Sequence, residues 1–348
     1  METQKKKLGY AVAGLGIGRA HMEAASMSPR AGLVAYCDIR EDRLADAKRR
    51  YPDAKPYRDF DEMICDPDID VISICLPSAM HAEYAVRAMA KGKHVLIEKP
   101  IDITVAAAMK IEEARIKYGV TAGVVHQNRY NVPMGPMKAA VESGRLGRLF
   151  LGNFAVKWYR EQSYYEGNWH GTWDMDGGGS LMNQAVHTVD LMQWLMGEAD
   201  EVSSVMGIYN HDIETEDLTV STVKFKSGAV ASLISTTCAY PGISTDIQLY
   251  GTKGTIEADA DILKTWKLAD SDDEDAEEEE MLDKCSGNGR AEARDPSVLT
   301  GHRAVVEDMI SAVLDGHEPR IMPLEAMKSV RIVEAVYESA KTGKPVKI

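Results

Sequence analysis

Three groups of residues in the sequence have types and spacings that could do chemistry. The first is a cation at a strand end. His94-Val95-Leu96-Ile97 reads as a short buried strand that stops at Glu98-Lys99-Pro100. In a parallel sheet wound with helices, ligands bind at the carboxyl edge, so a lysine held there by a following proline is placed to meet one. A solvated lysine at a strand end is the plainer alternative. The second group follows the run Asp176-Gly177-Gly178-Gly179-Ser180, where a helix is expected over 181–195 with Ser180 as its cap. Asn183, His187 and Asp190 stand at i, i+4 and i+7 on one stripe of it. Leu181, Met182, Val186, Val189 and Leu191 make the rest apolar, so the helix must be buried. Three polar groups in register on a buried helix then face a polar cavity or one another.

The third group is Gly14, Gly16, Ile17 and Gly18, between a strand-like run at 8–13 and an Ala-rich helical stretch. Backbone N–H groups at such a turn can hold a pyrophosphate. The spacing departs from G-x-G-x-x-G, with the third glycine one residue early and Arg19 in its usual place. Asp38 ends the second strand, 22 residues after Gly16. An acid at that distance can accept from an adenosine ribose hydroxyl and would repel a 2′-phosphate, which favours NAD over NADP. Capping the helix that begins near Arg40 is the alternative role.

Upstream of the triple glycine, Trp158, Arg160, Trp169 and Trp173 belong to a segment with three of the chain's five tryptophans in sixteen residues. Aromatic faces beside Arg, His and Thr suit the apolar face and hydroxyl rim of a sugar. A core or a subunit interface would use the same rings. Tyr130, beside Arg129, is open to both readings. The nine histidines show no H-x-x-x-H spacing with an acid, so no metal is expected.

These groups need elements to position them. At 348 residues two domains are expected, at 1–126 and 127–348. In the first, strands alternate with helices at short spacing, including Asp70 to Leu76, which ends at Pro77 with His81 opening the next helix. That alternation means an α/β, doubly wound parallel sheet. In the second, six short segments, 149–158, 201–209, 218–226, 229–236, 245–250 and 255–258, read as a large, mostly antiparallel open sheet in an α+β domain, covered by helices at 137–142, 181–195 and 324–341.

The net charge is −14, but Asp270 to Asp283 holds ten acids and no base, leaving −4 for the remainder. That run reads as a solvated loop. Without a basic surplus neither nucleic acid nor an anionic membrane is an expected partner. Five cysteines with no C-x-x-C pair suit a reducing compartment. The basic start Lys5-Lys6-Lys7 superficially mimics a signal peptide, but glycines break the apolar run behind it, and a cytoplasmic location is expected.

Taken together, the glycine turn, the acid after the second strand, Pro77 with His81 four residues on, Glu98-Lys99-Pro100 and the glycine-run helix with His187 and Asp190 resemble the Gfo/Idh/MocA family, the relatives of glucose-fructose oxidoreductase and inositol dehydrogenase. The resemblance covers essentially the whole chain and implies an N-terminal Rossmann domain. It also implies NAD(P)-dependent hydride transfer with a secondary alcohol of a sugar, sugar acid, nucleotide sugar or cyclitol, and a Lys99-Pro100 bond that is often cis. Carried over by position, Lys99 binds the reacting oxygen and His187 exchanges its proton. Pro77, His81, Glu98 and Pro100 line the nicotinamide side. Many members have Asp where this chain has Asn183, which leaves His187 as the stronger base, with Asn183 a further catalytic candidate. Asn183 and Asp190 join Trp158, Arg160, Trp169, Trp173 and Tyr130 as candidate substrate contacts. A homodimer or homotetramer through the C-terminal sheet is expected. Two rival readings are a glycoside-cleaving enzyme working by transient C3 oxidation and a non-catalytic sugar- or NAD-sensing protein.

Overall fold

The computed structural model describes residues 7–287 and 301–348; Lys5 and Lys6 of the basic start lie outside these. The chain forms two compact units, Met1–Val125 with His302–Met327, and His126–Gly301 with Lys328–Ile348. The sequence reading divides the chain once, at 126/127, and so gives 302–327 to the second domain. That segment instead packs in the first unit: Val305, Val306, Met309 and Ile310 are buried, and Val124 donates to the Ile321 carbonyl at 2.9 Å. An apolar helix face in a sequence does not say which sheet it will cover.

In the first unit β1 (Leu8–Ala13), β2 (Ala31–Cys37), β3 (Lys55–Tyr57), β4 (Val71–Ile74), β5 (His94–Ile97) and β6 (Ala122–Val124) form one parallel sheet in the order β3-β2-β1-β4-β5-β6. Every residue of β1 and β4 is buried, which is why they read as unbroken apolar runs. The sequence reading missed β3, a short and largely exposed edge strand containing Pro56. Helix α1 (Gly18–Met27) follows β1, α2 (Glu41–Arg50) follows β2, α3 (Phe60–Ile64) follows β3, α4 (His81–Met89) follows β4 and α5 (Val105–Tyr118) follows β5.

In the second unit β7 (Leu149–Lys157), β8 (Ala199–Gly207), β9 (Leu218–Phe225), β10 (Val230–Thr236), β11 (Ser244–Gly251), β12 (Gly254–Asp259), β13 (Ile262–Leu268) and β14 (Val346–Lys347) form a sheet in the order β13-β12-β11-β7-β10-β9-β8-β14. Only β7 and β10 pair in parallel. The alternation of β9, with Thr219, Ser221, Val223 and Phe225 buried and Val220, Thr222 and Lys224 exposed, marks a sheet with one covered face. The strands β13 and β14 were not anticipated from the sequence.

The acidic run is not a loop throughout. After α6 (Met134–Glu142) and α7 (Val186–Met196), a further helix α8 (Glu274–Leu282) starts at Asp273, whose side chain accepts from the Ala276 N–H. Arg145 pairs with Asp270 and Glu277, Lys267 pairs with Asp275 and Glu278, and Trp266 Nε1 donates to Glu277 at 3.0 Å. Arg145 holds the Glu277 carboxyl at about 2, well below its ordinary range. Cations brought from other elements therefore offset the like-charge repulsion that the bare sequence displays. Among the described residues no helix is long and apolar enough to cross a membrane.

Candidate active site

The glycine turn of the first unit is shaped by close approach. Gly14 has φ +88°, and a Cβ there would lie 2.2 Å from the Cys75 carbonyl oxygen. Gly18 carries the helix-packing role expected of a third glycine: a Cβ would lie 2.7 Å from Val12 Cγ1. The early third glycine thus fits a helix that starts one residue sooner, at Gly18, with the exposed Ile17 before it. Asp38 is buried, and its Oδ2 accepts from the Leu15 N–H at 2.7 Å and from Arg43 at 3.2 Å, while Oδ1 accepts from the Arg40 N–H. The helix α2 has no side-chain cap, so Asp38 is tied to the glycine turn rather than acting as a helix cap. Beside it a cleft of about 530 Å³ is lined by Leu15, Gly16, Arg19, Arg40 and Arg43. Bare backbone at a helix start, an acid beside it and an open cleft fit the dinucleotide that the fold implies.

Lys99 follows β5 and is half-buried, and the Lys99-Pro100 bond is cis, as the resemblance implied. Its neighbours hold this loop from behind. His81 is 1% exposed, with Nδ1 at 2.7 Å from the Pro100 carbonyl oxygen and Nε2 at 2.8 Å from that of Leu76. Glu98 is 3% exposed, and its carboxylate meets His21, His302 and the Lys99 N–H. The polar atoms of both residues, which the sequence reading places on the nicotinamide side, are bonded within the protein. Pro77 opens the 3-10 turn Ser78–Met80 and remains half-buried at the end of β4.

In the second unit the expected continuous helix starts differently. Ser180–Ala185 is a π-helix that runs into α7, and Ser180 is no cap. Its hydroxyl lies 2.9 Å from Ser235 Oγ and 3.4 Å from Glu216 Oε1. The glycines allow this: a Cβ on Gly179 would lie 1.8 Å from the Glu216 carbonyl oxygen. Glu216, 2% exposed, gathers the helix start, accepting from Gly179 N–H at 2.8 Å and Leu181 N–H at 2.7 Å. Burial pushes its carboxyl up to about 7 although these amides pull it down.

Asn183 lies in the π-helix and donates to Asp176 Oδ1 at 2.6 Å, with His170 Nδ1 at 3.2 Å. A carboxylate therefore stands behind the neutral amide. His187 is 8% exposed, with Nε2 at 3.4 Å from Gln127 Nε2 and its ring edge-on to His126. Asp190, a candidate substrate contact from the sequence, has both oxygens held by Arg129, at 2.6 and 2.7 Å, and is 1% exposed. Tyr130 sits in the same 3-10 turn as Arg129.

The aromatic segment divides. The Arg160 guanidinium lies over Trp158 and Tyr164, Tyr164 stacks on His170 at 4.5 Å, and Trp169 flanks His170 at 4.1 Å. This chain of contacts ends on Asn183. Trp173 instead packs on Tyr337 and under Lys341, with Nε1 donating to the Glu214 carbonyl. The sequence reading did not single out Asp176, His170, Gln127 or Glu216. Asp176 and His170 carried a weak signal in flanking the glycine run; Glu216, just before β9, carried none.

Comparison with known proteins matches the chain in two stretches. A family model described as an oxidoreductase family, NAD-binding Rossmann fold, matches residues 8–126, and its companion, an oxidoreductase family C-terminal alpha/beta domain, matches residues 138–348. Myo-inositol 2-dehydrogenase of Thermotoga maritima is 30% identical over 256 residues, covering 71% of this chain and 74% of the relative. The NADP(+) scyllo-inositol 2-dehydrogenase IolW of Bacillus subtilis is 22% identical, covering 88% and 87%. The crystal structure of the WlbA dehydrogenase from Bordetella pertussis, in complex with NADH and UDP-GlcNAcA, superposes with a TM-score of 0.91 at 29% identity, covering 99% of each chain.

Proposed function

The chain belongs to the Gfo/Idh/MocA family of NAD(P)-dependent sugar and cyclitol dehydrogenases, and from that premise we propose that it oxidises a secondary alcohol of a UDP-linked sugar acid, with NAD preferred. The observation that carries the substrate class is Arg160, held between the rings of Trp158 and Tyr164 in the unit that bears Asn183 and His187. A guanidinium presented on aromatic faces suits an acidic sugar. The whole-length likeness to WlbA, solved with UDP-GlcNAcA, supports the same class.

In this reading the turn from Gly14 to Gly18 offers its N–H groups to the pyrophosphate and Asp38 accepts from the adenosine ribose. Nicotinamide, when bound, supplies the hydride acceptor. Lys99 stabilises the negative charge that develops on the substrate oxygen. His187 takes the hydroxyl proton, since an imidazole titrates near neutrality. Asn183, anchored on Asp176, orients the sugar with His170 and Trp169. The open face of the second unit's sheet exposes Val205, Val220 and Val230 and is the surface through which the chain assembles with itself.

The test is a panel of cyclitols, sugars, uronic acids and UDP-sugars, each with NAD and with NADP, followed by absorbance of the reduced cofactor. Turnover of UDP-GlcNAcA with NAD ahead of neutral sugars is expected. Preference for a free cyclitol, or for NADP, would overturn the substrate or the cofactor part respectively.

A further inference from the structure

The first unit contains a buried polar chain that the reaction above does not use. The Tyr10 hydroxyl of β1 lies 2.6 Å from Ser73 Oγ of β4, and Ser73 Oγ lies 2.9 Å from His21 Nδ1 of α1. His21 Nε2 lies 2.9 Å from Glu98 Oε1, and His302 Nε2 reaches the same oxygen at 3.2 Å. Tyr10, His21 and Ser73 are fully buried. The other carboxylate oxygen, Glu98 Oε2, accepts the N–H of Lys99 at 3.0 Å.

Bond direction follows from the carboxylate end. Burial opposes the charge on Glu98, but bonds from the two histidines hold its carboxyl well below the usual range, so it is ionised and can only accept. His21 Nε2 and His302 Nε2 must therefore donate. With Nε2 protonated, His21 Nδ1 can accept from Ser73, whose oxygen accepts from Tyr10, and every group is satisfied. The consequence falls on the next residue. Glu98 N–H is bonded to the Ile74 carbonyl, Lys99 N–H to Glu98 Oε2, and the Pro100 carbonyl to His81, so three consecutive residues are fixed. The first bond is main chain to main chain and the third comes from the His81 ring, itself held at the Leu76 carbonyl; the middle bond depends on the Glu98 side chain, which the two histidines keep from swinging.

We propose that His21 and His302 are positioning residues for Lys99, acting through the carboxylate of Glu98. This rests on the role given to Lys99 above. His21 supplies the buried, directional bond, and His302, one-fifth exposed, supplies the second from the outer side. Two histidines and a glutamate with ligand atoms within 4.8 Å of one another could also hold a divalent metal. The complete hydrogen-bond chain to Tyr10 favours positioning, because nothing in it is left for an ion to satisfy.

The experiment compares His21→Ala, His21→Gln and His302→Ala, alone and combined with Lys99→Ala, using the substrate turned over fastest in the panel above. His302→Ala removes a partly exposed ring, so it keeps the test open if His21→Ala does not fold. The alanine variants are expected to lower kcat by roughly 10-fold or more while the KM for NAD stays within about twofold, and the glutamine, whose amide can replace the Nε2 donor, to recover much of the loss. In the Lys99→Ala background the same changes should cost less than about twofold further. Losses that multiply on top of Lys99→Ala would overturn the inference alone, as would stoichiometric zinc in the purified protein by mass spectrometry. A Lys99→Ala enzyme working at the wild-type rate would overturn the role of Lys99 itself, and this inference with it.

Discussion

Glu98 in the first unit and Glu216 in the second are both nearly inaccessible to solvent, and each accepts main-chain N–H bonds from a stretch bearing a proposed catalytic residue. Their protons behave oppositely. Burial alone would raise both, but His21 and His302 hold Glu98 well below the ordinary range, whereas Glu216, with amides and hydroxyls around it, is pushed up to about 7. What separates them is the donors: Glu98 accepts from the imidazole N–H groups of His21 and His302, whereas the amides and hydroxyls around Glu216 do not outweigh its loss of water. A loop that must present a lysine rigidly is backed by an ionised carboxylate held between two imidazoles. The start of a helix is backed by a carboxyl that is near balance between its two forms.

The largest effect that could break this contrast is in stability. Truncating Glu98 leaves the buried His21 and the part-buried His302 facing a void, and Glu98→Ala should cost on the order of 3–5 kcal/mol in urea unfolding. Glu216→Ala strands two amides and should cost about 1–3 kcal/mol. Equal losses would mean that the histidines contribute no more than the amides do.

A smaller effect sharpens the contrast through pH. The folded-state value of Glu216 lies above its ordinary 4.5, so the stability it confers is fully present below about pH 4.5 and is lost as pH rises to about 7. That loss is at most about 3 kcal/mol. The folded-state value of Glu98 lies below 4.5, so its contribution is present above that pH and is lost as pH falls through the depressed value. Glu216→Gln should therefore flatten the decline in stability between pH 4.5 and 7, while Glu98→Gln should change the profile only on the acid side of 4.5. The same slope in wild type and Glu216→Gln would show that Glu216 is already ionised at the acid end.

The smallest effect concerns Tyr337, whose hydroxyl lies 3.3 Å from Glu216 Oε1. Tyr337→Phe removes one long bond and should cost about 0.5–1.5 kcal/mol by thermal unfolding. A larger loss would make the helix Pro323–Thr342, rather than the glycine run, the main support of the π-helix.

The two glutamates also show where sequence reading stops. Lys99 was legible because β5 is a short apolar run and the residues after it break it. The helix bearing Asn183 and His187 was legible from spacing, but periodicity names a face and not its partners, so Asp190 was grouped with the substrate although Arg129 holds both its oxygens. The π-helical start could not be read, because it depends on Glu216 fitting against glycines that are more than thirty residues away along the chain. The acidic helix α8 was hidden for a similar reason: its counter-charges, Arg145 and Lys267, come from other elements.

The central claim is that Lys99 and His187 carry the oxidation, and the rate of NAD reduction in His187→Ala beside Lys99→Ala tests it most directly. With NAD binding measured separately on each variant, both should lose on the order of 10² to 10⁴ in kcat while cofactor affinity stays near that of the wild type. The double variant should lose far less than the product of the two. A folded His187→Ala protein that reduces NAD at the wild-type rate would contradict the account.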